Sequence, residues 1–130
     1  MPAQTTPAAQ SAARQIPSVP GLRGTDHVGL TVPDLGQAIT FFTDVLGCQL
    51  VYRMGPFADD GTWFTDELGL DARARIPAMA LMRCGSGSNL ELFHYEAPEQ
   101  RHELPRMSDW GGHHLAFYVD DMEAALAESS

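Results

Sequence analysis

Residues 27–35 read HVGLTVPDL, and residues 114–122 read HLAFYVDDM at a constant offset along the chain. In both segments a His opens an alternation of apolar and other residues that closes on a Val, and an Asp follows as a candidate helix N-cap. A period of two predicts a half-buried strand, and the Asp predicts a helix directly after it. The chain therefore contains an internal repeat that begins with a strand and a helix.

The first copy of the repeat continues through three more predicted strands. Apolar residues at helical spacing predict a helix from Leu35 to Leu46 that ends at Gly47. Strands are predicted at residues 48–54, 78–84 and 89–95, and the GSGS of residues 85–88 predicts a hairpin loop between the last two. The connection at residues 55–77 has one predicted helical turn, around residues 66–70, and a connection of this length often covers a site.

These elements predict an α+β fold. A βαβββ module occupies residues 23–96, a charged linker residues 97–111, and the start (β-α) of a second module residues 112–130. The second copy stops at Ser130, inside its helix, before its later strands. Residues 1–22, rich in Ala, Pro, Gln, Ser and Thr, predict a disordered tail without the apolar region of a secretory signal.

Composition restricts the class of partner. A net charge of −9 with only eight Lys and Arg residues argues against nucleic acid, so we expect a small-molecule substrate. No apolar run approaches the roughly 20 residues that span a bilayer, so we expect a cytoplasmic protein with no membrane partner. Cys48 and Cys84 lack the spacing of a zinc or redox motif and predict two reduced thiols.

Three side chains are candidates for one metal site. In each repeat the apolar row must face the helix, so His27 and His114 face the opposite side of the sheet, which we call the open face. If Leu90 and Leu92 also face the helix, Glu91 lies on the open face. A carboxylate there loses hydration, and coordination to a cation offsets that cost. Two imidazoles and a carboxylate suit zinc, nickel, manganese or ferrous iron.

Neighbouring residues leave one alternative open. A register shift of one residue would exchange His113 for His114 as the ligand, although the repeat favours His114. Among the aromatic residues, Phe93, Tyr95 and Tyr118 are the predicted lining of a substrate pocket on the open face.

The motifs at residues 26–35, 41–47 (FFTDVLG), 89–93 (NLELF) and 112–116 (GHHLA) resemble those of the vicinal oxygen chelate superfamily, which includes glyoxalases, bleomycin-resistance proteins and extradiol dioxygenases. The resemblance implies that His27, Glu91 and His114 are ligands of a divalent metal. It also implies a fourth ligand, a Glu that acts as the catalytic base, on a strand that would lie beyond Ser130.

A carboxylate at the position of Glu91 resembles the arrangement in glyoxalase I more than that in extradiol dioxygenases. The resemblance therefore implies a metal-dependent lyase or isomerase that stabilises an enolate of a substrate with two neighbouring oxygens. A ferrous dioxygenase and a non-catalytic, drug-sequestering protein of the same fold are the alternatives. Because such modules pair into a cup, we expect a homodimer or a longer protein.

Overall fold

The computed structural model describes residues 18–59 and 61–129. Its strands are β1 (His27–Thr31), β2 (Gln49–Met54), β3 (Phe57–Ala58), β4 (Arg75–Arg83) and β5 (Asn89–Glu96), and its helices are α1 (Leu35–Thr40), α2 (Trp63–Leu68) and α3 (Met122–Ser129). A π-helical turn, Phe41–Val45, extends α1. The predicted α+β class is confirmed. The predicted tail lies largely outside the described residues.

The ends of the first helix follow the predicted signals. Asp34 is the N-cap, and its Oδ1 accepts a hydrogen bond of 2.9 Å from the backbone N–H of Gln37. Gly47 adopts a φ of +73°, and its N–H donates to the carbonyl of Thr43. Glycine accepts this left-handed conformation without a steric penalty, so the helix stops here and the chain turns into β2.

The sheet has the order β1-β5-β4-β2, and the short β3 also pairs with β4. β1 runs parallel to β5, with Gly29 opposite Glu91, whereas β4 is antiparallel to β5, with Leu81 opposite Glu91. β5 is therefore an inner strand that lies beside β1, although about sixty residues separate the two in sequence. This pairing brings side chains of the two predicted ligand strands onto one surface.

The core lies between the sheet and α1. Its buried residues are Leu35, Phe42, Cys48, Ala80, Met82, Leu90 and Leu92. Leu30 and Val32 of the first repeat pack against this cluster. The predicted orientation of the apolar rows is thus confirmed in the first module, because both Leu90 and Leu92 are buried against the helix side.

A second, smaller cluster lies on the other side of the sheet, and α2 is part of it. Phe64 of α2 is 5% exposed and is buried with Ala74 and Ile76. Phe93 and Tyr95 of β5 pack against the same cluster. The long connection therefore covers one end of the open face, as its length predicted, and its helix lies slightly earlier than expected.

The second repeat forms its helix but not its strand. Asp121 caps α3 as predicted, with Oδ1 accepting a hydrogen bond of 3.1 Å from the N–H of Ala124. Residues 112–120, however, contain no strand, so the expectation for this segment is corrected. A strand needs a neighbour for its backbone groups, and within residues 18–59 and 61–129 the sheet offers none to this segment. Its apolar row, Leu115, Phe117 and Val119, is 37–47% exposed.

The expectation of two reduced thiols is wrong in this structure. Cys48, just before β2, and Cys84, just after β4, form a disulfide with their Cα atoms 4.4 Å apart. The two residues adjoin the pair Gln49 and Arg83 in the antiparallel ladder, so pairing of the strands brings the sulfurs together. In the described part of the chain, no helix has the length and apolar character needed to cross a membrane.

Candidate metal centre

His27 and Glu91 lie together on the open face. The Nε2 atom of His27 is 3.5 Å from Oε1 of Glu91. Because Gly29 is the partner of Glu91 across the parallel ladder, His27 lies diagonally beside Glu91 on the same face. The Glu91 side chain is 19% exposed and that of His27 43% exposed, so the pair lies at the surface of the sheet and remains accessible from solvent.

Asp26 contacts the other ring nitrogen of His27. Its Oδ2 atom is 2.8 Å from Nδ1. This hydrogen bond is the main reason why the pKa of His27 lies above its ordinary value; burial opposes the shift, and the charges of Glu91 and Asp26 add to it. Asp26 was not among the site residues predicted from the sequence, because adjacent residues of a strand normally point to opposite faces and its place before His27 does not indicate a contact.

The donor atoms fit a divalent metal. An imidazole nitrogen and a carboxylate oxygen are both ligands of zinc and of the neighbouring first-row metals. Two ligand atoms at about 2.0–2.1 Å from one ion, at angles between octahedral and tetrahedral, lie about 2.8–3.4 Å apart. The observed separation of 3.5 Å is close to that spacing. A carboxylate on the second nitrogen of the ring is also the usual arrangement around a metal-bound His.

His114 is not part of this arrangement. It lies in the exposed segment 112–120, and no group of three or more His, Cys, Asp or Glu side chains in the described ranges is placed to hold a metal. The alternative ligand, His113, has its Nδ1 atom 3.1 Å from the carbonyl oxygen of Gly111. The structure therefore assembles two of the three predicted ligands.

Two of the three predicted pocket residues lie beside the pair. The rings of Phe93 and Tyr95 stack with centroids 5.2 Å apart and planes 20° apart. Burial, and secondarily the charge of Glu91, raises the pKa of the Tyr95 hydroxyl. Tyr118, by contrast, is fully exposed. The aromatic surface is thus formed by β5, next to Glu91.

Gly29 lies opposite Glu91 in the ladder and carries no side chain. A Cβ atom at this position would lie 3.4 Å from the edge of the Phe93 ring. A groove of about 820 Å³ begins at this point and runs along residues 29–33 and 94–96 towards the linker residues 100–105. Its volume is within the range of small-molecule pockets. The groove therefore starts at Gly29, the residue opposite Glu91, and is large enough for a small substrate.

Comparison with known proteins gives a family and three informative relatives. Residues 26–130 match the profile of the Glyoxalase/Bleomycin resistance protein/Dioxygenase superfamily. A 2-epi-5-epi-valiolone epimerase from Actinomyces sp is 51% identical over 107 residues, which cover 82% of this chain and 57% of that enzyme. The chain therefore spans little more than half the length of this relative.

The other two relatives are more distant. The uncharacterized protein YaeR of Escherichia coli (strain K12) is 31% identical over 107 residues, covering 82% of this chain and 69% of that protein. The crystal structure of SMU.1112c has a TM-score of 0.53 and 28% identity, covering 82% of this chain and 72% of that chain. The structural similarity agrees with the sheet and helix arrangement described above.

Proposed function

This chain belongs to the Glyoxalase/Bleomycin resistance protein/Dioxygenase superfamily, and from that premise we propose that it is a metal-dependent isomerase that inverts a carbon stereocentre beside a carbonyl group. The observation that carries the proposal is the pair of His27 and Glu91, with 3.5 Å between donor atoms, on an accessible face of the sheet. The 51% identity to an enzyme named as an epimerase favours an isomerase over a lyase.

The proposed substrate is a small ketone related to the one in the name of the Actinomyces enzyme. The name of the related enzyme specifies a ketone and the stereocentres that distinguish its epimers. Identity at this level supports a substrate of the same class for this chain. The strongly acidic composition is compatible with an uncharged ketone and argues against a polyanion.

Inversion beside a carbonyl requires one proton to leave and one to return. A base removes the proton from the carbon next to the carbonyl, and the electron pair of that C–H bond moves to the carbonyl oxygen to give an enolate. Return of a proton to the opposite side of the carbon restores the carbonyl and yields the epimer, with no net gain or loss of atoms. When bound, a divalent cation supplies positive charge that stabilises the enolate oxygen.

The residues of this chain supply binding and orientation. His27 and Glu91 would hold the cation at the open face, and His114 is the proposed third ligand. Zinc, nickel, manganese and ferrous iron all accept this donor set. Phe93 and Tyr95 present a half-buried aromatic surface against which the C–H side of a ring can pack and exclude water. Gly29, opposite Glu91, adds no side chain to this surface.

The test uses the full chain, metal analysis and a direct assay of epimerisation. The protein is loaded with Zn²⁺ or Mn²⁺ and incubated with 2-epi-5-epi-valiolone in deuterated water. We expect a second epimer with deuterium at the inverted carbon, because the returning proton comes from solvent. Chelation should abolish turnover, and His27→Ala and Glu91→Gln should lower both metal content and turnover.

Glu67→Gln is the matched control for Glu91→Gln. Glu67 is an exposed residue of α2, and its substitution removes the same charge while leaving His27 and Glu91 unchanged. Equal metal content in the wild type, His27→Ala and Glu91→Gln would contradict the proposed site. Oxygen consumption with catechols, in place of epimerisation, would instead support the ferrous dioxygenase considered from the sequence.

A further inference from the structure

We propose that Asp26 is a positioning residue that fixes the tautomer and the ring orientation of His27, so that the unprotonated Nε2 faces Glu91. This inference deepens the proposed function and rests on it for its purpose. Its evidence is independent, because it concerns contacts among residues that the structure shows directly.

The two ring nitrogens of His27 have different partners. Nδ1 is 2.8 Å from Oδ2 of Asp26, a good hydrogen-bond distance, whereas Nε2 is 3.5 Å from Oε1 of Glu91, at the outer limit for a hydrogen bond. An ionised carboxylate only accepts hydrogen bonds, so Nδ1 must be the donor to Asp26. A neutral imidazole carries one N–H, and therefore the lone pair of Nε2 is free on the side of Glu91.

The backbone at Asp26 is tied to the start of β5, although the Asp26 side chain is exposed. The Asp26 side chain is 89% exposed and has no packing to restrain it. Its carbonyl, however, accepts a hydrogen bond of 3.0 Å from the N–H of Asn89. The hydroxyl of Ser88 donates to the carbonyl of Thr25 at 2.9 Å. Both bonds tie the residues before β1 to the start of β5, the strand that carries Glu91.

The position of Asp26 outside the strand matters as well. Side chains of neighbouring residues within a strand point to opposite faces, and two such residues do not meet. β1 begins at His27, so Asp26 is free of this alternation and its carboxylate reaches the edge of the adjacent imidazole. Asp26 therefore contacts His27 from the end of β1 and does not occupy the open face.

Loss of the Asp26 carboxylate is expected to weaken metal binding. Without an acceptor on Nδ1, the ring is free to rotate about its last torsion, and either nitrogen can carry the proton. A ligand nitrogen that is protonated or turned away cannot coordinate. Removal of such an outer partner typically lowers metal affinity by about 10- to 100-fold.

The experiment compares Asp26→Asn and Asp26→Ala with the wild-type full chain. Long-range ¹H–¹⁵N NMR of the metal-free protein, at a pH where His27 is neutral, reports which ring nitrogen carries the proton. We expect the Nδ1–H form in the wild type and in Asp26→Asn, whose side-chain oxygen still accepts a hydrogen bond. Asp26→Ala should show a mixture of both forms.

Calorimetric titration with Zn²⁺ gives the second measurement. We expect Asp26→Ala to bind about 10- to 100-fold more weakly, and Asp26→Asn to lose less. Asp44→Asn is the matched charge control, because Asp44 lies in the π-helical turn on the helix side of the sheet, where it accepts a hydrogen bond from the hydroxyl of Thr43. Its tautomer signal and Zn²⁺ affinity should equal those of the wild type.

The possible failures are distinguishable. An unchanged Nδ1–H tautomer in Asp26→Ala would overturn the inference about Asp26, whatever the metal affinity. A wild-type chain that binds no metal, with a tautomer that still depends on Asp26, would overturn the proposed function and leave the orientation of His27 by Asp26 supported.

Discussion

Reduction of the Cys48–Cys84 disulfide is expected to lower the free energy of unfolding by up to about 4 kcal/mol. The bond joins the beginning of β2 to the end of β4, across residues separated by 36 positions in sequence. It closes a loop that includes β2, β3, α2 and β4, so an unfolded chain that keeps the bond has much less freedom than a reduced one. The folded chain keeps its sheet in both states.

The magnitude follows from the length of the closed loop. The chain-entropy relation for a loop of this size, at 25 °C, gives the figure of about 4 kcal/mol, and residual structure in the unfolded chain reduces it. For a folded part of roughly 100 residues, 1 kcal/mol shifts the midpoint of thermal unfolding by about 4–8 °C. The reduced protein should therefore unfold up to about 15–30 °C lower than the oxidised one.

The assay is thermal and urea unfolding of one preparation, with and without dithiothreitol, followed by circular dichroism. Reduction breaks the disulfide and leaves all other side chains of the core unchanged, so the comparison measures the effect of the cross-link alone. The double variant Cys48→Ala/Cys84→Ala is the control and should not respond to the reductant. Two free thiols per chain in protein never exposed to reductant, or coincident unfolding curves, would refute the reasoning.

Three further predictions test the core, the pKa and the space at the site. Leu92→Ala should lower the free energy of unfolding by about 2–5 kcal/mol in urea titrations, since Leu92 is fully buried, and a loss under 1 kcal/mol would contradict its place in the core. The hydrogen bond that Nδ1 of His27 donates to Asp26, with the charge of Glu91, raises the pKa of His27. The contribution of protonated His27 to the free energy of unfolding is therefore full below about pH 6.5, and it disappears as the pH rises through the pKa of His27 in the folded protein. NMR titration of the metal-free chain should show a lower His27 pKa in Asp26→Asn, and an equal pKa would contradict this cause. Gly29→Val should lower kcat/KM for the ketone while Zn²⁺ affinity stays within about twofold, because the new side chain fills space beside Phe93 and leaves the ligand atoms in place.

The parts of the fold that followed from sequence are those with a strong local signal. The alternation around Leu30 and the helical spacing after Asp34 predicted β1 and α1, and both signals agree with where the chain buries apolar surface. The same parity argument placed Glu91 on the open face with His27, and the parallel register of β1 and β5 then brought the two together. Parity is readable in a sequence because side chains alternate in every strand.

The parts that sequence did not predict depend on which segments meet. No local pattern marks the pairing of β2 with β4 that joins Cys48 to Cys84, because disulfide partners are set by the fold. The contact between Asp26 and His27 depends on backbone bonds to the start of β5, which only the register reveals. The short strand β3 has two residues, too few for any periodicity.

Residues 114–119 have the sequence pattern of a strand but do not form one in this structure. The alternation of Leu115, Phe117 and Val119 is as regular as that of β1, yet these side chains stay exposed and the backbone is unpaired in the sheet described here. A catalytic zinc commonly has three protein ligands, and in the proposed site His27 and Glu91 would supply two of them. The proposed function therefore requires residues 114–119 to approach the open face. Burial of the apolar row there would favour a strand, and His114 could then coordinate the metal. A His114→Ala variant with Zn²⁺ affinity equal to the wild type would contradict this requirement, and a His113→Ala variant with the larger loss would move the third ligand by one residue.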